Sequence, residues 1–146
     1  MSLRKPVRRV LVVGVGLVVL LLAACATPVA GTVENHTQVN QVRGANGLGG
    51  LPRSLELDIK AQAQAQRMAD ANTIFHSASL TDGVSAGWMQ IGENVAMAGS
   101  VGAAQAALEA SPPHRENLLN PYYTELGIGV VQKGSYVFLV QVFVQR

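Results

Sequence analysis

The chain has 146 residues, which is enough for one ordinary domain and too few for two. Residues 1–24 carry four of the eleven Lys and Arg residues and none of the nine Asp and Glu residues, so the formal net charge of +2 becomes −2 over residues 25–146. Because a nucleic-acid-binding domain needs a basic surface, this balance excludes nucleic acid as the expected partner.

Residues 1–24 have the pattern of a signal peptide. A basic start precedes an uncharged apolar run of 13 residues, which is short for a membrane-spanning helix. The run ends in Leu22-Ala23-Ala24-Cys25, which resembles a bacterial lipobox, and Cys25 is the only cysteine, so no intrachain disulfide can form. We predict that lipidated Cys25 anchors the protein at the outer face of the cell membrane. The alternatives are an uncleaved signal anchor and secretion without a lipid.

Residues 25–33 show no periodic apolar face and are interpreted as a tether to a domain that spans residues 34–146. A short helix is expected from Glu34. Gly44 and Gly47 should end it, because glycine is common where helices stop.

A longer helix is expected from Ser54, a good N-cap residue, to about Asn72. Residues 61–66 alternate alanine with glutamine as a strand would, but both residue types are good helix formers. Small and apolar residues recur at helical spacing at Leu57, Ala61, Ala65 and Met68. We expect this face of small residues to approach a sheet closely.

Residues 73–90 carry few regular signals beyond a helical turn expected around Trp88. A short strand is predicted over residues 93–98, and Ser100 is placed to cap a helix over residues 101–110.

The next helix begins at Ser111, with Pro112 at its first position, so His114 falls in the first turn. The positive end of the helix dipole disfavours imidazolium there, and a neutral imidazole can bind a metal ion or accept a proton. Glu93 is a lone carboxylate in an apolar, glycine-containing run, and His76 follows an alanine-rich segment. These two histidines and Glu93 form the candidate site.

Two segments near the carboxyl terminus, residues 126–132 and 136–145, are rich in valine, isoleucine and phenylalanine. Lys133-Gly134-Ser135 lies between them, which predicts a hairpin. In the second segment only Gln141 interrupts an apolar run, and a strand without alternation is covered on both faces. The pattern therefore predicts an α+β fold, a three-layer α-β-α sandwich with a small, mainly antiparallel central sheet.

Several short motifs occur in a recognisable order: Asn40 and Arg43, His76, Gly92-Glu93-Asn94, the run from Ser111 to Asn117, Gly127-Ile128-Gly129-Val130, and Val140-Gln141-Val142-Phe143. Together they resemble the bacterial branch of the CAP superfamily, which comprises the cysteine-rich secretory, antigen 5 and pathogenesis-related 1 proteins. The resemblance covers roughly residues 39–144. It implies the same α-β-α sandwich, known as the SCP domain.

In that superfamily two histidines and two glutamates line a cleft, and His76, Glu93 and His114 match three of them. Ser111 stands where many members carry the second glutamate, and Leu108 stands where a tryptophan is common. Asn94 and Asn117 match the motifs, and we assign them to loop structure rather than to ligand contact.

The leading hypothesis is a ligand-binding cleft formed by His76, Glu93, His114 and Ser111, with a lipid, peptide or cell-wall component as ligand. The enzyme alternative is a metal-dependent hydrolase in which His76, Glu93 and His114 hold a divalent ion, Zn or Mg. Ser111 weakens it, because the most obvious spare general base is missing. A third hypothesis is a surface interaction module without a ligand. The sequence leaves the oligomeric state open.

Overall fold

The computed structural model describes residues 30–146. The predicted signal peptide, Cys25 and most of the tether lie outside the described residues. Within this range the chain forms, in order, α1 (Ala30–Ala45), α2 (Leu55–Ala71), β1 (Gln90–Ala98), α3 (Val101–Ala110), α4 (Pro112–Leu118), β2 (Glu125–Lys133) and β3 (Tyr136–Gln145). No helix in this part of the chain is long and apolar enough to cross a membrane.

The sheet has the order β1-β3-β2, and both neighbours pair with β3 in antiparallel orientation. The strand that we expected to be covered on both faces is therefore the central one, and Val137 to Val144 are buried throughout. The hairpin between β2 and β3 turns through Gly134, whose φ of +58° suits glycine. The α+β prediction, with a small antiparallel sheet between helical layers, is confirmed.

One face of the sheet packs against α2. The helix contributes the small and apolar side chains predicted from its sequence, and the central strand contributes Phe138, Val140, Val142 and Val144. On the opposite face, Leu139 and Phe143 pack in a second core with residues of the other three helices, including Val39, Leu108 and Leu118. Leu57 and Met68 of α2 are fully buried.

Two glycines on β2 let α2 lie directly against the strand. A Cβ atom at Gly127 would stand 2.2 Å from the backbone carbon of Leu57, and one at Gly129 would stand 2.2 Å from that of Ala61. Because α2 lies so close to the strand, it also covers the outer edge of β2. Asp58 Oδ1 accepts a hydrogen bond from Ile128 N at 2.8 Å, and Gln62 bonds both Val130 N and Val130 O, at 3.0 and 3.1 Å. The edge is thus closed to further strand pairing.

The structure differs from the sequence-based expectations in three places. The strand predicted over residues 93–98 begins three residues earlier, at Gln90. The first helix begins at Ala30, four residues before the predicted start at Glu34, and Thr32 is already buried. The helical turn predicted around Trp88 is wrong, since residues 73–89 form an irregular loop. Side chains of α2 hold this loop, for example through the bond from Gln64 Nε2 to Phe75 O at 2.6 Å.

Candidate functional site

Glu93 lies on β1 with its side chain almost fully buried, at 1% exposure. Its Oε1 atom accepts hydrogen bonds from His76 Nδ1 at 2.9 Å and from Ser77 N at 2.8 Å, and its Oε2 atom accepts one from Ser77 Oγ. A buried carboxylate is costly unless it is hydrogen-bonded in this way. Glu93 therefore fixes the start of the loop of residues 73–89 against the sheet.

His76 is the exposed partner of Glu93, with 57% of its side chain accessible to solvent. An ionised carboxylate can only accept hydrogen bonds, so the atom facing it must be Nδ1–H. In the neutral ring this assignment leaves Nε2 with a lone pair that points away from Glu93. His76 thus offers solvent an oriented hydrogen-bond acceptor.

His114 lies in the first turn of α4 and is half-buried. Its Nδ1 atom is 2.8 Å from Ser111 Oγ, so the N-cap hydroxyl bonds the imidazole, and no hydrogen bond joins it to the helix backbone. Burial lowers the pKa of His114 below 6.5, and the charge that His76 carries whenever it is protonated lowers that pKa further. His114 is therefore neutral near pH 7, and its Nε2 atom is free of Ser111.

Two asparagines connect α4, which carries His114, to β1, which carries Glu93. Asn94 Nδ2 donates to His114 O at 3.1 Å, and Asn117 Nδ2 donates to Asn94 Oδ1 at 2.9 Å. Next to them a Cβ atom at Gly92 would stand 2.2 Å from Tyr123 Oη, so this close packing requires glycine. The Gly92-Glu93-Asn94 motif thus directs the carboxylate of Glu93 toward the loop of residues 73–89 and the side-chain amide of Asn94 toward α4.

Behind Asn94 a network of buried amides crosses the core. Gln141 accepts a hydrogen bond from Asn94 Nδ2 at 3.1 Å and donates to Asn35 Oδ1 and Gln105 Oε1, both at 2.8 Å. All four side chains are at most 3% exposed. Sequence reasoning recognised Gln141 only as an interruption of an apolar strand, and it missed Asn35 and Gln105, which look like ordinary polar residues of helices.

Sequence reasoning also missed Ser77, which supplies two of the three hydrogen bonds to Glu93. The only signal was its position next to His76. The predicted residues are brought together in two pairs, His76 with Glu93 and Ser111 with His114. The two histidines are close enough for the charge of His76 to affect the pKa of His114.

Among residues 30–146, no group of three or more His, Cys, Asp or Glu side chains is arranged to hold a metal ion. Both oxygens of Glu93 already accept hydrogen bonds from His76 and Ser77, and no contact joins the carboxylate to His114. The set of His76, Glu93 and His114 therefore does not fit a three-ligand metal centre.

A family model, the cysteine-rich secretory protein family (CAP), matches residues 36–145. No curated protein sequence matches the chain.

The chain is also similar to solved bacterial structures. An extracellular protein containing an SCP domain from Bacillus anthracis is 29% identical with a TM-score of 0.69, and the match covers 80% of this chain and 40% of that one. A cysteine-rich secretory protein from Staphylococcus aureus is 22% identical with a TM-score of 0.67, covering 80% of this chain and 38% of that one. An outer surface protein from Borrelia burgdorferi is 19% identical with a TM-score of 0.69, covering 76% and 89%. The chain thus spans less than half of the first two proteins.

Proposed function

Because the chain belongs to the cysteine-rich secretory protein (CAP) family, we propose that it is an extracytoplasmic ligand-binding protein held at the membrane through lipidated Cys25. The ligand is a lipid, a peptide or a cell-wall component, and it binds in the cleft formed by His76, Glu93, Ser111 and His114. The similar proteins described as extracellular or outer-surface proteins support this location.

The observation that carries the proposal is the way in which the two imidazoles are held. Each ring is bonded through Nδ1, His76 to Glu93 and His114 to Ser111, so both Nε2 atoms remain available. Fixed polar atoms beside exposed surface are what a binding site needs in order to orient a ligand. A ligand hydroxyl or amide N–H is the matching partner for the Nε2 lone pair of His76.

The cleft offers no dedicated nucleophile. The hydroxyl of Ser77 is bonded to Glu93. The hydroxyl of Ser111 is bonded to His114, but no carboxylate among residues 30–146 bonds the other ring nitrogen of His114, so the third member of a nucleophile–base–acid set is missing. Binding without chemistry is therefore the function that the geometry supports best.

A metal-dependent hydrolase is the second candidate, and one observation favours it. A histidine whose Nδ1–H is bonded to a carboxylate is the usual arrangement of a metal-ligating imidazole, and His76 with Glu93 has this form. Zinc suits imidazole ligands better than magnesium, which prefers oxygen. An ion there would be held by His76 and His114 alone, so the remaining ligands would have to come from water or substrate.

Nuclear magnetic resonance titrations of the full-length protein in a nonionic detergent test the proposal. The probes are a muramyl dipeptide, a free tetrapeptide and phosphatidylglycerol, each added to wild type, His76→Ala, His114→Ala and the matched control His36→Ala. His36 is the third histidine and bonds Leu51 O away from the cleft.

We expect one probe to give saturable shifts around Glu93 and His114 that persist in the His36 variant and are lost in the other two. Binding that survives both cleft substitutions in folded protein would refute the proposal.

A further inference from the structure

A cavity of about 410 Å³ lies between α2 and the facing loop, and Ser77, which bonds Glu93, is one of its lining residues. The helix lines it with Ile59, Lys60, Ala63 and Arg67, and the loop contributes residues 77–79, 82 and 83. This volume is within the range of small-molecule sites.

Lys60 is a buried cation without an ion-pair partner among residues 30–146. It is only 8% exposed, and its Nζ atom donates to Ser79 O at 3.0 Å and to Asp82 O at 2.8 Å. An ammonium group can donate a third hydrogen bond. Burial lowers the pKa of Lys60, while the negative charges of Glu93 and Asp82 oppose that shift only in part. A buried charge without a partner is costly, so an anion beside Lys60 would stabilise it.

Arg67 lies two helical turns further along the same side of α2. Its Nε and Nη2 atoms donate to Gln64 Oε1 at 3.0 and 2.6 Å, and no ion pair to Arg67 occurs in the described part of the chain. Its Nη1 group has no acceptor among these residues. The one carboxylate that lines the cavity, Asp82, accepts a hydrogen bond from Ser79 Oγ at 2.9 Å.

We infer that this cavity is a second binding site, which takes a small molecule with an anionic head group, a carboxylate or a phosphate, and a short apolar part. The head group would pair with the free donors of Lys60 and Arg67. The apolar part would lie on Ile59, which is 64% exposed, and on Ala63 and Ala78. The site does not depend on any ligand in the histidine cleft.

Calorimetric titration of the full-length protein in a nonionic detergent tests this inference. The probes are hexanoate, hexyl phosphate, inorganic phosphate and, with the charge inverted, hexyltrimethylammonium. The decisive variant is Arg67→Gln, because Lys60 also holds the loop and its replacement could unfold it. Arg115→Gln is the matched control, since it removes the same charge outside the cavity.

We expect saturable binding of hexanoate, hexyl phosphate or both, weaker binding of inorganic phosphate, and none of the cation. Arg67→Gln should weaken binding about tenfold, as loss of a charged hydrogen bond implies, while Arg115→Gln and His114→Ala should not change it. Failure of both hexyl anions to bind wild type, or equal affinity in Arg67→Gln, would overturn the site. Equal affinity for inorganic phosphate and hexyl phosphate would show that the apolar surface of the cavity does not contribute to binding.

Discussion

At the level of single residues, the sequence identifies some members of the proposed cleft of His76, Glu93, Ser111 and His114 but not the contacts that hold them. His76, Glu93 and His114 could be selected from the sequence, because lone polar residues in apolar or glycine-rich runs stand out and because the motifs resemble a family. The hydrogen bonds that hold these side chains could not be predicted from the sequence. Ser77 and Ser111 contribute through hydroxyl groups whose direction depends on the fold, and Glu93 accepts three hydrogen bonds from His76 and Ser77.

The state of His114 leads to a prediction about pH. Burial lowers its folded pKa below 6.5, so between the two pKa values the unfolded chain binds more protons than the folded one. The contribution of His114 to stability is therefore complete above the ordinary pKa and is lost as the pH falls through the folded pKa.

Melting temperatures at pH 7 and pH 5 should show this loss in wild type and a smaller one in His114→Gln. Equal losses in the two proteins would mean that His114 is solvated.

At the level of helices and strands, periodicity predicted most of the fold. The spans of α2 and α3 agree with the expectations within one or two residues, because N-cap residues and breakers mark their ends. The loop of residues 73–89 could not be predicted, because side chains outside it, those of Lys60, Gln64 and Glu93, hold it in place. Long-range contacts of this kind leave no local pattern.

The packing of α2 on β2 predicts a strong effect at Gly129. A Cβ atom there would stand 2.2 Å from backbone atoms of Ala61, so Gly129→Ala must push the helix away from the strand. Overpacking costs about 1–3 kcal/mol, and we expect at least that loss in the free energy of unfolding.

Gly102→Ala is the matched control, because the nearest atom to its new methyl group would be Gln38 Nε2 at 3.7 Å. Because Gly102 is the second residue of α3, its replacement should change stability by less than the roughly 0.5–1 kcal/mol that separates glycine from alanine in the middle of a helix. Urea denaturation measures both, and a neutral Gly129→Ala would show that α2 lies further from β2.

At the level of the whole molecule, we predict that one domain follows a leader peptide. The formal charge of −2 over residues 25–146 does not favour nucleic acid as a partner, and the single cysteine is the expected lipid attachment point. Because Cys25 ends the uncharged apolar run, attachment to the membrane is predicted to depend on it. The described part of the chain has no membrane-spanning helix.

Replacing this cysteine tests that dependence. Cys25→Ser should abolish lipid modification and move the protein from the membrane fraction to the supernatant, with the domain still folded. Fractionation and mass spectrometry of the amino-terminal peptide measure the result. If wild type and variant partition identically, the lipobox interpretation is wrong.

The central claim is that His76 and His114, which are 38 residues apart, present their Nε2 atoms to one cleft. Zinc titration probes this directly, because an ion held by both imidazoles is lost when either is removed. We predict one saturable site in wild type and in His36→Ala. His76→Ala and His114→Ala should each lose most of the binding, and the double variant should lose little more. Additive losses in folded variants would contradict the shared cleft, and no saturable binding to wild type would remove the metal-dependent alternative.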